Sequence, residues 1–280
     1  MDDLAGRLVT DTLRVRPVQP VRLARLDPGD TGPLKGDAAK EAAREAAARH
    51  STRIAELQER LYASRARSLL VVLQAMDTGG KDGTIKNVFA GVNPQGVIIT
   101  SFKAPTYEEL AHDFLWRVHA RTPARGMIGV FNRSHYEDVL VTRVHGLVSD
   151  DEARRRFASI RDFERLLCES GTTLVKFFLH ISREEQRERL QARIDEPDKR
   201  WKFDSNDLVE RRHWDEYQRY YEEAINATSE EHAPWYVVPA DHKWYRNLVV
   251  SQVLVETLEA LKLSFPPTPV GIDFDKLKVE

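Results

Sequence analysis

The chain has 280 residues, 41% of them hydrophobic and 31% charged, a composition that excludes a disordered protein and provides for a substantial core. Its formal net charge of −2 excludes an overall basic, nucleic-acid-binding protein, although it leaves room for a local basic groove. No apolar run reaches the ~18 residues of a membrane span, no basic leader precedes an apolar segment, and Cys168 is the single cysteine, so we expect a cytoplasmic protein.

The first part of the chain predicts an arm, a long helix and a buried strand. Residues 1–36 carry scattered Pro, Gly and Arg without periodicity, which indicates an extended arm lying on the body of the protein. Residues 37–67 predict a helix, because the segment is Ala-rich and its apolar side chains then recur at helical spacing. From residue 68 the continuous apolar run SLLVVLQAM is typical of a buried parallel strand.

Strands and helices alternate in the remainder of the chain. Further strands are predicted at 96–102, 127–132, 172–181 and 235–240. Helices are predicted at 84–91, 106–121, 150–170, 182–194, 207–228 and 241–263. The alternation indicates βαβ units and hence an α/β protein whose parallel sheet is covered on both faces. We expect an arm and helix, 1–67, to pack on a core formed by 68–280.

A glycine-rich turn links the first buried strand to a helix. It reads Ala75-Met76-Asp77-Thr78-Gly79-Gly80-Lys81-Asp82-Gly83-Thr84. Such glycines let backbone N–H groups surround an anion at a helix N-terminus, and Lys81 adds a mobile positive charge. Compared with the usual G-x-x-x-x-G-K-[ST] pattern, Ala75 replaces the first glycine and Asp82 replaces the residue that binds Mg²⁺. The turn therefore predicts a phosphate site in which Asp77 supplies the metal ligand, with an ordinary surface turn as the alternative.

Charged side chains follow two other strands at the edge where parallel sheets bind their ligands. Lys103 follows the strand 96–102, and Arg133 follows the strand 127–132. Such cations neutralise charge in phosphoryl transfer, and Asp138, one helical turn beyond Arg133, is expected in the same cleft as an Mg²⁺ ligand or proton acceptor. The structural alternatives are an ion pair of Arg133 with Glu137 and a solvated Asp138.

Arginines on the predicted helix 106–121 form a further candidate site. Arg117 and Arg121 are one turn apart and share a face, while Leu110, Phe114 and Val118 form the apolar stripe. Either arginine is a candidate for binding an acceptor phosphate, and an exposed basic face is the equal alternative.

A basic segment with two aromatic residues follows the fourth predicted strand. Its cations are Arg193, Lys199, Arg200 and Lys202. Pro197 interrupts the helix there. A mobile basic segment suits a lid, at about 190–213, that closes over phosphates and excludes water. The interleaved carboxylates make a salt-bridged surface loop the alternative.

Long stretches of the chain resemble the second polyphosphate kinase family, whose fold is similar to that of thymidylate kinase. The stretches are LYASRARSLLVVLQAMDTGGKDGTIKNVFAGVNPQG, SFKAPTYEELAHDFLWRVHARTPARGMIGVFNRSHYEDVLVTRVH and RIDEPDKRWKFDSNDLVERRHWDEY, within a resemblance that covers residues 34–263. It implies a three-layer α/β P-loop kinase fold with a parallel sheet, an N-terminal helical extension and a helical lid. It also implies reversible phosphoryl transfer between inorganic polyphosphate and AMP, ADP or ATP, with guanine nucleotides as further substrates. The implied metal is Mg²⁺, with Mn²⁺ as the alternative.

The resemblance assigns roles to the candidate residues. Asp77 and Lys81 match the family's Walker A residues, Arg133 and Asp138 match its Walker B pair, and the cations of the basic segment match its lid. The stretch SHYEDVL, which contains Glu137, resembles that of the class III subgroup, whose members accept both AMP and ADP. The family also implies a homo-oligomer, a dimer or a tetramer. We expect Asp77 and Asp138 to hold the metal. We expect Lys81, Arg133 and Arg193 to stabilise the transferring phosphoryl group without a covalent enzyme intermediate.

Two other functions remain open on the sequence. One is an ATP-dependent nucleoside monophosphate kinase of thymidylate-kinase type, which would use the same sheet but an adenine-donor pocket. The other is a non-catalytic module that binds polyphosphate or nucleotides.

Overall fold

A computed structural model of the chain describes residues 10–270, 274, 276 and 277. Its strands are β1 (Arg14–Val15), β2 (Ser68–Gln74), β3 (Val97–Ser101), β4 (Ile128–Asn132), β5 (Thr172–His180) and β6 (Trp235–Pro239). Its helices are α1 (Gly36–Ser64), α2 (Lys81–Val88), α3 (Tyr107–Leu110), α4 (Trp116–His119), α5 (Val141–Val144), α6 (Asp150–Glu169), α7 (Arg183–Asp195), α8 (Asn206–Glu210), α9 (Trp214–Thr228) and α10 (Lys243–Ala260). Short 3-10 helices lie at Leu23–Arg25, Pro94–Gly96, His135–Val139, Pro197–Lys202 and Arg211–His213.

The strands form one six-stranded sheet in the order β1-β6-β5-β2-β4-β3, parallel except for the antiparallel edge strand β1. Strand β2 lies at the centre, where Val71 pairs with Val130 of β4 and Val175 of β5. Because every residue of β2 is buried, helices cover both faces of the sheet, as the continuous apolar run predicts. The chain runs from β2 to one side and later returns to the other, so the end of β2 is the switch point where such sheets bind ligands.

The long helix α1 packs along α10 at the side of the core. Ile54, Leu57 and Leu61 of α1 are buried, as their helical spacing predicts. The nitrogen Nδ1 of His50 lies 3.1 Å from Oγ of Ser251 on α10. The predicted arm before α1 contacts the body through β1 and through Leu23, which is 2% exposed. Residues 1–9 of that arm lie outside the described part of the chain.

The predicted helix 106–121 is wrong, because two four-residue helices, α3 and α4, take its place. Between them, Oδ1 of Asp113 accepts a hydrogen bond from the backbone N–H of Leu115 at 3.0 Å. A short polar side chain that bonds a nearby backbone group competes with the helix and starts a new turn. The predicted apolar stripe is lost as well, since Leu110 is 68% exposed while Val118 is buried.

None of the helices in the described residues is long and apolar enough to cross a membrane.

Candidate active site

The glycine-rich turn adopts a conformation that few side chains allow. Thr78 and Gly80 have positive φ angles of 62° and 102°, in the left-handed region that favours glycine. A Cβ atom at Gly79 would lie 2.5 Å from Cβ of Ala75 and 2.8 Å from the carbonyl oxygen of Met76. The turn thus requires glycine at 79 and 80, and it delivers the chain directly into the first turn of α2 at Lys81.

Lys81 folds back over this turn. Its Nζ donates a hydrogen bond to the carbonyl oxygen of Ala75 at 2.9 Å. Burial and the positive charge of Arg133 lower the pKa of Lys81 to about 8, against the opposite effect of nearby carboxylates such as Asp77. A lysine in this state carries its charge at neutral pH next to the turn and loses it in mild alkali.

Two other residues of the turn and α2 have internal partners. Oδ1 of Asp82 accepts a hydrogen bond from the amide of Asn132 at 2.6 Å, which ties α2 to the end of β4. The hydroxyl of Thr84 is buried and donates to the carbonyl oxygen of Gly80 at 3.0 Å. These two side chains stabilise the turn, while Gly83 lies on the wall of a large cavity.

Arg133 directly follows β4 and points back to the turn. Its Nη2 donates to Oδ1 of Asp77 at 2.8 Å. Its φ angle is 63°, an unfavourable value for a residue with a side chain, and such strain concentrates at functional sites. Burial alone would lower the pKa of Arg133. The negative charges of Glu137 and Asp77 have the larger effect, so the pKa lies above its ordinary value.

A small cavity of about 180 Å³ opens at this arginine. Its charged and aromatic walls are Asp77, Arg133, Glu137, Asp204, Asp207, Glu210, Tyr217 and Tyr221. Burial raises the pKa of Glu137, although Arg133 and Lys81 oppose this. Burial and the charge of Asp77 raise the pKa of Asp207 to about 6. The structure thus brings Asp77, Arg133 and Glu137 together, and Lys81 is electrostatically coupled to all three.

Asp138 is not part of this cavity. The expectation that it shares a cleft with Arg133 is wrong, because the segment after Arg133 is a 3-10 helix with about three residues per turn. The Asp138 carboxylate instead lies 3.7 Å from Nη2 of Arg117 and 4.0 Å from Nη1 of Arg156. Burial raises the pKa of Asp138 to about 6 even though both arginines lower it. Its Oδ2 is buried without a hydrogen-bond partner.

The candidate cations Lys103, Arg117 and Arg121 also lie away from the cavities. Arg117 is 8% exposed, and its Nη1 donates to the carbonyl oxygen of Lys103 at 2.8 Å. The side chains of Lys103 and Arg121 are exposed. Because α4 ends at His119, Arg121 lies beyond the helix and is exposed while Arg117 is buried, so the two arginines do not act as a pair. Arg117 contacts Asp138 and the chain at Lys103.

A second cavity of about 1140 Å³ is lined by other residues of the same segment, Thr78, Gly80 and Gly83. Its cationic walls are Lys40, Arg44, Arg189, Arg193, Lys199, Lys202, Lys243 and Arg246. Among the described residues that line it, Asp241 is the one carboxylate. Three of the predicted lid cations are present there. The fourth, Arg200, is not on the wall and donates to the carbonyl oxygen of Ile194 at 2.9 Å.

Arg193 links the two cavities. It lines the large cavity, and its Nη1 donates to Oδ2 of Asp207, on the wall of the small one, at 2.8 Å. The same Nη1 donates to the carbonyl oxygen of Lys202 at 2.9 Å. The predicted lid segment therefore contributes to both cavities.

The sequence did not single out Arg246 and Lys243, which start α10. Arg246 is 2% exposed, and burial together with the neighbouring Arg189 lowers its pKa to about 10. A Cβ atom at Gly80 would lie 1.9 Å from its Nη1, so the guanidinium contacts the turn itself. The signal was available, since both residues follow the carboxyl end of β6, where parallel sheets place ligand-binding groups.

The donor set of the site suits a metal that is bound mainly by substrate. No group of three His, Cys, Asp or Glu side chains within the described residues is arranged to hold a metal ion. Mg²⁺ is usually bound by one or two carboxylates together with substrate phosphates and water. The Asp77 carboxylate, which belongs to the glycine-rich turn and lies on the wall of the small cavity, fits that requirement.

Comparison with known proteins decides the family. The family model of polyphosphate kinase 2 matches residues 37–266, a range that contains the turn, both cavities and the basic segment. The chain belongs to this family. The family assignment confirms the resemblance seen in the sequence.

Curated and solved relatives of the polyphosphate kinase 2 family agree with this. The AMP/ADP-polyphosphate phosphotransferase of Meiothermus ruber is 56% identical over 253 residues, which are 90% of this chain and 94% of that protein. The ADP-polyphosphate phosphotransferase of Rhodopseudomonas palustris is 51% identical over 228 residues, 77% of this chain and 79% of its own. The crystal structure of polyphosphate kinase 2 from Arthrobacter aurescens TC1 has a TM-score of 0.89 at 47% identity and covers 94% of this chain and 93% of that one. The predicted α/β P-loop kinase fold is confirmed.

Proposed function

We propose that the protein catalyses reversible phosphoryl transfer between inorganic polyphosphate and adenine nucleotides, converting AMP to ADP and ADP to ATP. The observation that carries the proposal is a glycine-rich turn whose residues line both a large basic cavity and a small cavity. The two substrates are inferred from the names of the relatives, which are AMP/ADP- and ADP-polyphosphate phosphotransferases. Glu137, on the wall of the small cavity, is the residue on which acceptance of both AMP and ADP rests.

Polyphosphate would lie in the large cavity. A polyphosphate chain is a line of anions that needs many cations and no reading of bases, as with nucleic-acid backbones. The cavity offers eight lysines and arginines and exceeds the ~300–1,000 Å³ of ordinary ligand pockets. Arg246 and Arg189 would bind the phosphates next to the turn, because both are largely buried and lie against it.

The nucleotide would lie in the small cavity. Arg133 supports a phosphate there, while the tyrosines and carboxylates suit the rings, amino groups and hydroxyls of a nucleoside. At about 180 Å³ the cavity is smaller than an ordinary ligand pocket, so the segment that carries Asp204, Asp207 and Glu210 must move for a nucleotide to enter. This segment belongs to the proposed lid at about 190–213. The lid is part of a kinase domain, 68–280, on which the arm and helix of residues 1–67 pack.

The reacting phosphoryl group would be transferred at the turn between the two cavities. Lys81, Arg133 and Arg193 neutralise its charge, and the acceptor phosphate oxygen is already ionised, so no covalent enzyme intermediate is required. Asp77 would hold Mg²⁺, or Mn²⁺ in its place. When bound, that ion supplies further charge neutralisation and aligns the phosphates. Direct ligation by Asp138 stays a prediction, which the position of its carboxylate beside Arg117 and Arg156 does not favour.

The enzyme is also proposed to be a homo-oligomer, a dimer or a tetramer. The edge strand β3 supports this, because Ile98 and Ile99 on it are 48% and 49% exposed. Light scattering of the purified chain measures the assembly directly.

The decisive assay gives the protein AMP, Mg²⁺ and polyphosphate without ATP. We expect ADP first and ATP after it. An ATP-dependent nucleoside monophosphate kinase would need added ATP, and a binding module would form neither product. The absence of ADP would overturn the proposal.

The variant Asp77→Asn tests the assigned site in the same assay. Loss of the metal-binding carboxylate should lower kcat by about 100-fold or more, while polyphosphate binding persists. Asp162→Asn, an exposed change on α6, is the matched control, and purification of both variants by one protocol excludes a contaminating kinase. Full activity of Asp77→Asn would contradict the assignment.

A further inference from the structure

Two side chains of α7 hold consecutive carbonyl groups of the glycine-rich turn. Nε2 of Gln186 donates a hydrogen bond to the carbonyl oxygen of Asp77 at 3.1 Å, and Nη1 of Arg189 donates to that of Thr78 at 3.0 Å. Gln186 and Arg189 are three residues apart, so they project from one face of the helix. The helix therefore fixes the peptide groups on both sides of Thr78, whose φ angle of 62° is unfavourable.

Asp77 is consequently held at two points. Gln186 bonds its backbone carbonyl, and Nη2 of Arg133 bonds its carboxylate at 2.8 Å. The position of the carboxylate depends on the backbone that carries it. Without the bond from Gln186, the peptide group after Asp77 would be free to rotate, and the carboxylate would follow Arg133 away from its place in the turn.

The amide of Gln186 has one orientation that satisfies its partners. The side chain is buried, and its Oε1 accepts a hydrogen bond from Nη1 of Arg211 at 2.8 Å. A guanidinium only donates and a backbone carbonyl only accepts, so the amide oxygen must face Arg211 and the amide nitrogen must face Asp77. Arg211 thereby keeps the donor of Gln186 directed at the turn.

Arg211 lies at the end of the proposed lid, where the chain returns to the core. It directly follows α8, whose last residue, Glu210, lines the small cavity. Nη1 of Arg211 also donates to the carbonyl oxygen of Arg183, in the first turn of α7, at 2.7 Å. A movement of α8 that lets a nucleotide enter the small cavity therefore displaces the group that orients Gln186.

We propose that Gln186 is a positioning residue for phosphoryl transfer, which holds the peptide group of Asp77, and that Arg211 makes this contact depend on the position of the lid. The inference rests on the proposed function. Return of the lid to α7 brings Arg211 back to Gln186 and restores the place of Asp77. The contact acts on the transition state more than on the binding of either substrate, so its loss lowers kcat more than it raises KM.

The variant Gln186→Glu tests the contact with the turn. It keeps the size of the side chain and an oxygen for Arg211, but it directs a second oxygen, which cannot donate while ionised, at the carbonyl of Asp77. We expect kcat for AMP to fall by about 10- to 100-fold, the cost of a misplaced reacting group. KM for AMP and for polyphosphate should stay within about threefold, as should the affinity for polyphosphate that calorimetry measures without AMP.

The variants Gln186→Met and Arg211→Met test the dependence on the lid. Each replaces one partner by an apolar side chain of similar length, so each should lower kcat by about three- to tenfold. Because Arg211 acts through Gln186, adding Arg211→Met to Gln186→Met should change kcat by less than about twofold. Effects that multiply in the double variant would overturn the proposal.

Gln252→Met is the matched control, since Gln252 lies on α10, lines neither cavity and donates to Oε1 of Glu256 at 3.1 Å. Urea unfolding establishes that each assayed variant is folded, and the methionine variants carry the test if Gln186→Glu does not fold. A merely structural role of Gln186 would lower stability but leave kcat of the folded protein within about twofold of the wild-type value. That result would overturn the proposal, whereas a wild-type protein that makes no ADP from AMP and polyphosphate would overturn the proposed function instead.

Discussion

The side chain of Lys81 shows how the site sets its own pH range. Burial and Arg133 lower its pKa to about 8, so the free protein carries the Lys81 charge below that pH and loses it above. An ordinary lysine, with a pKa of ~10.4, would remain charged over this whole range. In the proposed mechanism, the loss of this cation weakens both phosphate binding and charge neutralisation in the transition state.

We therefore expect kcat/KM for polyphosphate to fall above pH 8, by up to about tenfold per pH unit. Lys81→Arg is the informative variant, since a guanidinium remains charged throughout this range. It should be slower at every pH but lack the fall above pH 8. An unchanged fall in this variant would assign the titration to another group.

The buried carboxylate of Asp138 lowers the stability of the folded protein when it is ionised. Its folded-state pKa, about 6, is above the ordinary value of 3.8, so folding favours its protonated form. That contribution to stability is present at pH values below 3.8 and is lost as pH rises through 6.

Asp138→Asn, which cannot ionise, should therefore raise the free energy of unfolding at pH 7.5 by up to about 3 kcal/mol, and have little effect at pH 4. Urea unfolding at the two pH values measures this. Asp151→Asn, at a side chain that is 78% exposed, is the control. A loss of stability at pH 7.5 would mean that the contacts with Arg117 and Arg156 outweigh burial.

At the scale of elements, a buried ionic network supports the 3-10 helix that carries Glu137. Lys176 of β5 and Glu164 of α6 form an ion pair with fully buried side chains. Oε1 of Glu164 also accepts a hydrogen bond from the hydroxyl of Tyr136 at 2.8 Å, and lies 3.2 Å from Nε2 of His135. The network joins β5, α6 and the segment after β4 into one unit.

Lys176→Met should lower the free energy of unfolding by about 3–5 kcal/mol, because it leaves the Glu164 carboxylate buried without its cation. The double variant Lys176→Met, Glu164→Gln should recover much of that loss, since it removes both charges. Urea unfolding of the single and double variants at one pH provides the comparison. A loss below about 1 kcal/mol in the single variant would show that Glu164 takes up a proton instead.

The elements also show what the sequence could predict and why the rest escaped it. The buried strands and the glycine-rich turn could be predicted from local patterns. A continuous apolar run predicts a buried strand, and glycines predict a turn with positive φ angles. The break between α3 and α4 depends on one side-chain hydrogen bond, which Oδ1 of Asp113 accepts from the backbone N–H of Leu115. The place of Glu137 instead of Asp138 in the cavity depends on the left-handed Arg133 and on the buried network, which no local pattern encodes. The basic cavity needs α1 to pack beside α10, and sequence alone does not fix that packing.

At the scale of the whole molecule, the net charge of −2 conceals a strongly basic site. Eight cations on one cavity wall should make KM for long polyphosphate rise steeply with salt, at constant free Mg²⁺. The small cavity, with several carboxylates and one arginine, should leave KM for AMP far less sensitive to salt. Steady-state kinetics between 50 and 300 mM KCl measure both. Equal salt dependence for the two substrates would contradict the separation of the cavities.

The placement of the two cavities against one turn has a consequence for the direction of phosphoryl transfer. A polymer and a monomer meet across the same few groups, so transfer in either direction uses one set of contacts and one transition state. Net movement of phosphate then follows mass action. An excess of ATP therefore drives the lengthening of polyphosphate, and an excess of AMP drives its consumption.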